Sequence, residues 1–174
     1  MTALTGWETL ERVTESGANE SRQRVLADRP VVERSDAGAR WLGVRYWQAV
    51  QNATRGTVRA GWQGEGGTLK LLGGATLLRF GPPELSVDGG VVSCVYAIQG
   101  GLLAVRPGGT VTLEQRPAGD RVELVVSVEE YLPRLAARVG APRWTGLLYA
   151  RAQSPFHVEV SRRYFESLAR GARS

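Results

Sequence analysis

The feature that most constrains the fold is a series of glycine and proline breaks between Thr57 and Leu132. The breaks separate short apolar stretches at intervals of roughly ten residues, which is typical of antiparallel strands joined by tight turns. We therefore predict a meandering antiparallel sheet over 57–132. The breaks fall at 64–67, 73–74, 81–83, 88–90, 100–101, 107–109 and 117–120.

Side chains alternate within these stretches as strands with one buried face require. In 110–115, Val111 and Leu113 lie opposite threonine and glutamate. In 91–98 both faces are apolar, so this strand is expected to be covered on both sides. In that strand Val92, Cys94, Tyr96 and Ile98 are opposite Val91, Ser93, Val95 and Ala97. In 121–129 one face is apolar and consists of Val122, Leu124, Val126 and Val128.

The first 56 residues carry weaker patterns. The segment 1–40 is polar, and we expect two short helices in it, at Trp7–Thr14 and Glu20–Ala27, with Pro30 ending the second. The segment 41–54 fits either a helix or a strand. We favour the helix, because its apolar residues recur at helical spacing and Gly56 follows where a C-cap glycine often stands.

An amphipathic helix is predicted over 146–170, with Gly171 as its stop. Pro155 either kinks this helix or begins it, since proline is tolerated in the first helical turn. The apolar stripe consists of Phe156, Val160, Tyr164 and Leu168.

Composition favours one domain with a real core. The chain has 174 residues, of which 43% are hydrophobic and 22% charged, and single domains usually have about 100–200 residues. One cysteine allows no internal disulfide, which fits a reducing compartment. With no signal-like start and no apolar run of membrane-spanning length, we expect a cytoplasmic protein.

The common cofactor motifs are absent from the sequence. It contains no GxxxxGK[ST], no GxGxxG in a strand–helix context and no GxSxG. One histidine and one cysteine cannot build a usual zinc site. We therefore expect no cofactor and no metal.

The net charge is +5, and Lys70 is the only lysine, so the excess is almost entirely arginine. Such a charge fits an anionic partner, but it also fits a codon bias towards arginine. The even spread of the arginines favours codon bias as the explanation. Because no nucleic-acid-binding module is present, nucleic acid is not expected as a partner. An interaction surface would use the C-terminal pair Arg162 and Arg163.

Several residues are candidates for a ligand site. His157 and Tyr149 could act as acid or base, although a lone histidine more often lies at a core margin. Arg79 could hold a carboxylate or form a rim salt bridge with Glu84, and Gln99 could face a cavity or cap a turn. Aromatic residues including Trp41, Tyr46 and Trp62 could line a pocket or pack a core. The predicted ligand-binding set is Trp47, Arg79, Tyr96, Gln99, Tyr149, Gln153 and Tyr164.

The order of these elements resembles the second half of a START or polyketide-cyclase-like (helix-grip) domain. The resemblance covers about Thr57–Ala169 and implies an antiparallel sheet around a long C-terminal helix, with an apolar cavity between them. A lipocalin-like barrel, which also ends in a helix, is the alternative. The stretches that carry the resemblance are GTLKLLGG, TLLRFGPPE, VVSCVYAIQGG, LLAVRPGGTVTLEQ, RVELVVSVEEYLP and SPFHVEVSRRYFESLA.

These observations predict an α+β fold in which a curved antiparallel sheet wraps on the C-terminal helix, with small N-terminal helices. The expected function is binding of a small hydrophobic molecule, with or without a carboxylate, in a sheet–helix cavity. Cofactor-free cyclase-like catalysis is its enzymatic form. The alternative is a non-catalytic interaction protein with a filled core and an arginine-rich surface for an anionic partner. The oligomeric state does not follow from the sequence.

Overall fold

The computed structural model describes residues 2–15, 18–63, 66–72, 74–104, 107–131 and 143–171, with the backbone alone over 143–156. These residues form two helices, α1 (Asp36–Ala53) and α2 (Arg143–Gly171). They also form nine strands: β1 (Leu4–Val13), β2 (Asn19–Ala27), β3 (Val58–Gln63), β4 (Gly66–Leu71), β5 (Thr76–Phe80), β6 (Glu84–Asp88), β7 (Val91–Gly100), β8 (Thr110–Ala118) and β9 (Arg121–Tyr131).

The strands form one antiparallel sheet in the order β1-β2-β9-β8-β7-β5-β4-β3. The first half of β7 pairs with β6, from Val91 opposite Asp88 to Val95 opposite Glu84, and its end pairs with β5. In the described part of the chain β1 and β3 are open edges, so the sheet does not close into a barrel. The predicted α+β class and the antiparallel sheet over 57–132 are confirmed. The lipocalin-like alternative is wrong, because it requires a closed barrel.

β8 and β9 face the core as their alternation predicts. Their inward residues are buried, and so are Val92, Cys94, Tyr96 and Ile98 of β7. β8 adds a residue that hydrophobicity does not predict, because Gln115 is only 2% exposed on the same face as Leu113.

The two short helices predicted at Trp7–Thr14 and Glu20–Ala27 are wrong, because both segments are strands. In β2 the buried positions are Gln23, Val25 and Ala27. They alternate as in a strand, but hydrophobicity does not show it, because Gln23 is polar and Ala27 is small. β1 is an edge strand, almost fully exposed, and therefore shows no apolar alternation.

The helix favoured over 41–54 is confirmed, and it begins earlier, at Asp36. Ser35 is its N-cap, since the side-chain oxygen accepts a hydrogen bond from the Gly38 amide at 3.1 Å. At its end the Gly56 amide donates to the carbonyl of Gln51, with Gly56 at φ +77°.

The predicted C-terminal helix is also confirmed. It begins at Arg143, so Pro155 lies inside it and does not begin it. No helix in the described ranges has a stretch apolar and long enough to cross a bilayer.

Both helices pack on the same face of the sheet. α1 contacts β3, β6, β7 and β8, while α2 packs along α1 and against β1 and β2. The α2 residues Val160, Tyr164, Phe165 and Leu168 enter the core. The sheet centre therefore meets α1, and α2 closes the β1–β2 side.

Candidate functional site

Four aromatic side chains meet between α1 and the β3–β7 part of the sheet. We call Trp47, Trp62, Phe80 and Tyr96 the aromatic cluster. The Trp47 ring centroid lies 4.8 Å from that of Phe80 and 5.3 Å from that of Tyr96. Trp62 lies 5.2 Å from Tyr96 and 6.1 Å from Trp47. Aromatic surfaces at these spacings make a favourable apolar floor.

Trp62 is the member of the cluster that reaches solvent. Trp47, Phe80 and Tyr96 are each less than 5% exposed, whereas Trp62 is 44% exposed on the edge strand β3. Its ring lies over Gly67 of β4, where an added Cβ would come within 2.2 Å of the ring. Gly67 therefore provides the space that the ring occupies, and Trp62 forms the outer side of the cluster.

Polar atoms lie at the inner end of the cluster, beside Gly43 of α1. A Cβ at Gly43 would lie 2.1 Å from the Tyr96 hydroxyl oxygen and 3.0 Å from the Cys94 sulfur. The absence of a side chain at Gly43 thus lets the phenol and the thiol lie directly under the helix. The indole N–H of Trp47 faces the Tyr96 oxygen, but it is buried without a hydrogen bond of good geometry among the described residues.

Tyr164 of α2 brings a further hydroxyl group to this region. Its ring contacts Tyr46 edge-on at 5.5 Å, and its oxygen is buried with no hydrogen-bond partner in the described part of the chain. It lies near Cys94 and Tyr96, whose ionised forms would oppose its own ionisation. A buried polar group without a partner is uncommon and calls for an explanation such as a bound water or ligand.

Burial keeps these groups protonated at neutral pH. It is the main cause that raises the pKa of Tyr164 and of Tyr96 above that of an ordinary tyrosine. Burial likewise raises the pKa of the Cys94 thiol, against a smaller opposite effect of the hydrogen bond with Tyr96. The site therefore offers neutral hydrogen-bond donors, and its thiol is not an activated nucleophile.

Three predicted ligand-binding residues come together here, namely Trp47, Tyr96 and Tyr164. Arg79 and Gln99 do not join them. Both are exposed on the outer face of the sheet, because their neighbours Phe80 and Ile98 hold the inward positions.

The two candidates Tyr149 and Gln153 fall in α2, in the stretch whose side chains lie outside the described residues. His157 is half-buried on α2, and burial lowers its pKa, while the charge of Glu11 on β1 acts in the opposite direction. The structure thus places His157 at the joint between α2 and β1.

Sequence reasoning missed Gly43, Cys94 and Phe80 as parts of the site. Cys94 and Phe80 carry apolar-strand signals that are indistinguishable from ordinary core residues. Gly43 has a signal only in retrospect, since a glycine inside a helix often marks a close approach of another element.

A separate cleft of about 250 Å³ lies where the start of α1 meets the end of α2. Trp41 forms one side, and the Arg45 guanidinium group lies 4.6 Å from the centre of its ring. No residue of the predicted ligand-binding set lines this cleft. Arg45, whose Nε is buried without a hydrogen-bond partner among the described residues, lies beside it. Its lining is Val31, Val32, Glu33, Ala37, Gly38, Trp41 and Gly171.

The C-terminal arginine pair is neutralised within its own helix. Arg162 forms ion pairs with Glu159 and Glu166, and Arg163 pairs with Glu159. Across the ranges that the structure describes, no three His, Cys, Asp or Glu side chains group as metal ligands would.

Comparisons with known proteins add the following. No protein-family model matches the chain, and no curated protein matches it. Among solved structures the chain is similar to CalU16 from Micromonospora echinospora. The crystal structure of CalU16 aligns over 99% of both chains, at 16% identity and a TM-score of 0.30. Its solution NMR structure aligns over 71% of this chain and 62% of that one, at 16% identity and a TM-score of 0.28.

Proposed function

We propose that the protein binds a small hydrophobic molecule at the aromatic cluster and holds a neutral oxygen of that molecule, such as a carbonyl. The observation that carries the proposal is the pair of buried, unpartnered polar groups, Trp47 Nε1 and the Tyr164 hydroxyl, beside an aromatic floor. An indole N–H can only donate. The Tyr96 oxygen that it faces makes no hydrogen bond of good geometry with it, and a ligand oxygen would offer it another acceptor.

A carbonyl fits these groups better than a carboxylate does. The donors at the site are neutral, and Arg79, the expected carboxylate anchor, is on the other face of the sheet. Arg40 of α1 acts on Cys94 and Tyr96 by its charge, but it is itself exposed. Burying a carboxylate here would cost more than hydrogen bonds to neutral donors return.

Trp62 is the proposed entrance. A half-exposed ring on an edge strand can rotate away from Gly67 without unpacking Trp47, Phe80 or Tyr96. The ligand would then insert between the displaced Trp62 ring and the ring of Tyr96, so that Trp62 covers it from the outer side.

An enzymatic form of the proposal needs no cofactor. A donor that binds a carbonyl oxygen also stabilises negative charge that develops there during a reaction. Trp47 and Tyr164 would have this role, and Tyr149 remains a proposed participant. His157, at the α2–β1 joint, is a weaker candidate for proton transfer.

The test uses three naphthalene probes of similar size in isothermal titration calorimetry: 2-acetylnaphthalene, 2-ethylnaphthalene and 2-naphthoate. We expect the ketone to bind most tightly. Trp62→Ala should weaken the ketone and the hydrocarbon alike. Trp47→Phe and Tyr164→Phe should weaken the ketone alone, each by about fivefold, as expected for one neutral hydrogen bond.

The matched control is Trp41→Phe, which alters a partly exposed tryptophan at the separate cleft and should leave all affinities unchanged. Saturable binding that is insensitive to Trp62→Ala, or no binding of any probe, would contradict the proposal.

A further inference from the structure

Two cations face each other across the β3–β4 pair, and no described residue supplies a counter-charge. Arg59 is directly opposite Lys70, and both are exposed on the outer face of the sheet. Neither forms an ion pair with any described residue. Like charges directly opposite in a sheet are destabilising, so the pair calls for an anion from outside the fold.

Arg79 extends the charge onto the next strand. It pairs with Thr68, which is two residues before Lys70 and therefore on the same outer face. The rim salt bridge of Arg79 with Glu84, an alternative raised by the sequence, is not formed. We call Arg59, Lys70 and Arg79 the basic stripe.

Exposed leucines lie at one end of the stripe. Leu72, two residues after Lys70, is 55% exposed, and Leu102 is 50% exposed. Leu71 is on the inward face of β4 with Leu69 and is not part of this surface. The Leu102 amide donates to the Thr76 carbonyl, and Thr76 is the residue opposite Lys70. Leu72 and Leu102 are therefore grouped at the same end of the sheet, next to the cations.

Some arginines elsewhere on the surface have a counter-charge: Arg12 and Arg24 pair with glutamates, as Arg162 and Arg163 do on α2. Others, such as Arg22 and Arg34, form no ion pair with a described residue. The stripe differs from these in that two of its cations lie directly opposite each other.

We propose that the basic stripe and the adjoining leucines dock the protein on the surface of an anionic lipid membrane. Lipid phosphates would neutralise the stripe, and the leucines would enter the interface between head groups and acyl chains. Each cation near an anionic membrane surface strengthens binding by about fivefold, and buried apolar area adds to it. The leucines favour a membrane over nucleic acid, whose backbone offers them no apolar environment.

This docking surface is independent of the aromatic cluster, because it is on the opposite face of β4 and β5 from Phe80. Failure of one proposal therefore leaves the other intact.

The test is co-sedimentation of the full chain with vesicles of phosphatidylcholine alone, or of phosphatidylcholine mixed with phosphatidylglycerol. We expect binding to the mixed vesicles only. Arg59→Glu/Lys70→Glu should reduce it by at least about 25-fold. The matched control Arg22→Glu/Arg34→Glu makes the same charge change at exposed positions elsewhere and should retain binding within a few-fold.

Leu72→Ser/Leu102→Ser separates the apolar contribution, since it should weaken binding that persists in high salt, where charge effects are screened. Equal losses in the stripe variant and its control would overturn the proposal, as would absence of vesicle binding. Stripe-dependent retention of an oligonucleotide without vesicle binding would overturn it in favour of a nucleic-acid surface.

Discussion

The hydroxyl group of Tyr164 is buried on α2 without a hydrogen-bond partner among the described residues. Such a group lowers stability, because it loses its bonds to water and gains none in the folded protein. Tyr164→Phe should therefore raise the free energy of unfolding of the ligand-free protein, by about 1 kcal/mol. Urea unfolding of both proteins measures this. A loss of stability would show that the hydroxyl group already has a partner.

At Gly43 we expect a substitution to lower the free energy of unfolding. Alanine normally stabilises a helix interior relative to glycine, by about 0.5–1 kcal/mol. Here the new Cβ would meet the Tyr96 hydroxyl oxygen and the Cys94 sulfur. Gly43→Ala should therefore destabilise the protein by about 1–3 kcal/mol, as overpacking does.

A double-mutant cycle separates this clash from a general helix effect. Tyr96→Phe removes the atom closest to the new Cβ, so Gly43→Ala/Tyr96→Phe should recover part of the loss. Additive losses in thermal unfolding would refute the close contact.

Of the predicted ligand-binding residues, the structure brings three together and places two on the other face of the sheet. Trp47, Tyr96 and Tyr164 have large apolar bodies with polar tips, and such residues are typical of buried sites. Arg79 and Gln99 are proposed ligand-binding residues with a rim salt bridge and a turn cap as alternatives, and both point outward because Phe80 and Ile98 hold the inward positions of those strands. A β-bulge between Arg79 and Phe80 interrupts the pairing of β5 with β7, which sequence alternation cannot reveal.

At the scale of elements, the buried side chain of Gln115 in β8 connects the segment before α1 to the sheet by hydrogen bonds. Its side-chain oxygen accepts from the Val31 and Val32 amides at 2.7 and 3.0 Å, and its nitrogen donates to the Val32 carbonyl at 2.9 Å. Gln115→Ala should cost about 2–4 kcal/mol, since it leaves buried backbone groups unpaired. The exposed Gln99→Ala is the control, and equal denaturation midpoints for the two variants would contradict this role.

The α2–β1 joint makes stability depend on pH through His157. Burial lowers its pKa, so below about pH 6.5 the unfolded chain binds a proton that the folded protein does not. The free energy of unfolding should therefore fall as the pH drops from 7 towards 5, by at most about 1.4 kcal/mol per pH unit. Glu11, which faces His157 from β1, moderates the effect.

His157→Gln should flatten this part of the stability curve, and urea unfolding at several pH values measures the slope. A wild-type curve that rises on acidification would contradict the direction of the pKa shift.

The elements differ in how far sequence could predict them. β8 and β9 largely alternate apolar and polar residues between turns, so their faces follow from a period of two, whereas β7 is apolar on both faces and its inward face does not. The inward face of β2 could not be predicted, because it includes the polar residue Gln23. The amide oxygen of Gln23 accepts a hydrogen bond from the buried Ser161 hydroxyl group at 2.7 Å. That bond joins residues 138 positions apart, and no local pattern reports it.

At the scale of the molecule, the two faces of the sheet at β3–β5 differ in chemistry: one is aromatic and the other is basic. The inner face has the aromatic cluster and unpartnered donors, and the outer face has the basic stripe. The helix-grip resemblance correctly indicated a sheet with helices on it. It did not indicate that α1 covers the sheet centre while α2 packs along α1, because that depends on how two helices share one surface.

The most direct test of the central claim is the indole N–H signal of Trp47 in a ¹H–¹⁵N correlation spectrum, assigned by its loss in Trp47→Phe. If the aromatic cluster binds a molecule through a carbonyl oxygen, saturating 2-acetylnaphthalene should move this signal downfield, as a new hydrogen bond forms. The Trp41 signal should stay in place, and 2-ethylnaphthalene should give no comparable shift. An unmoved Trp47 signal at saturation, or the same shift with the hydrocarbon, would contradict the account.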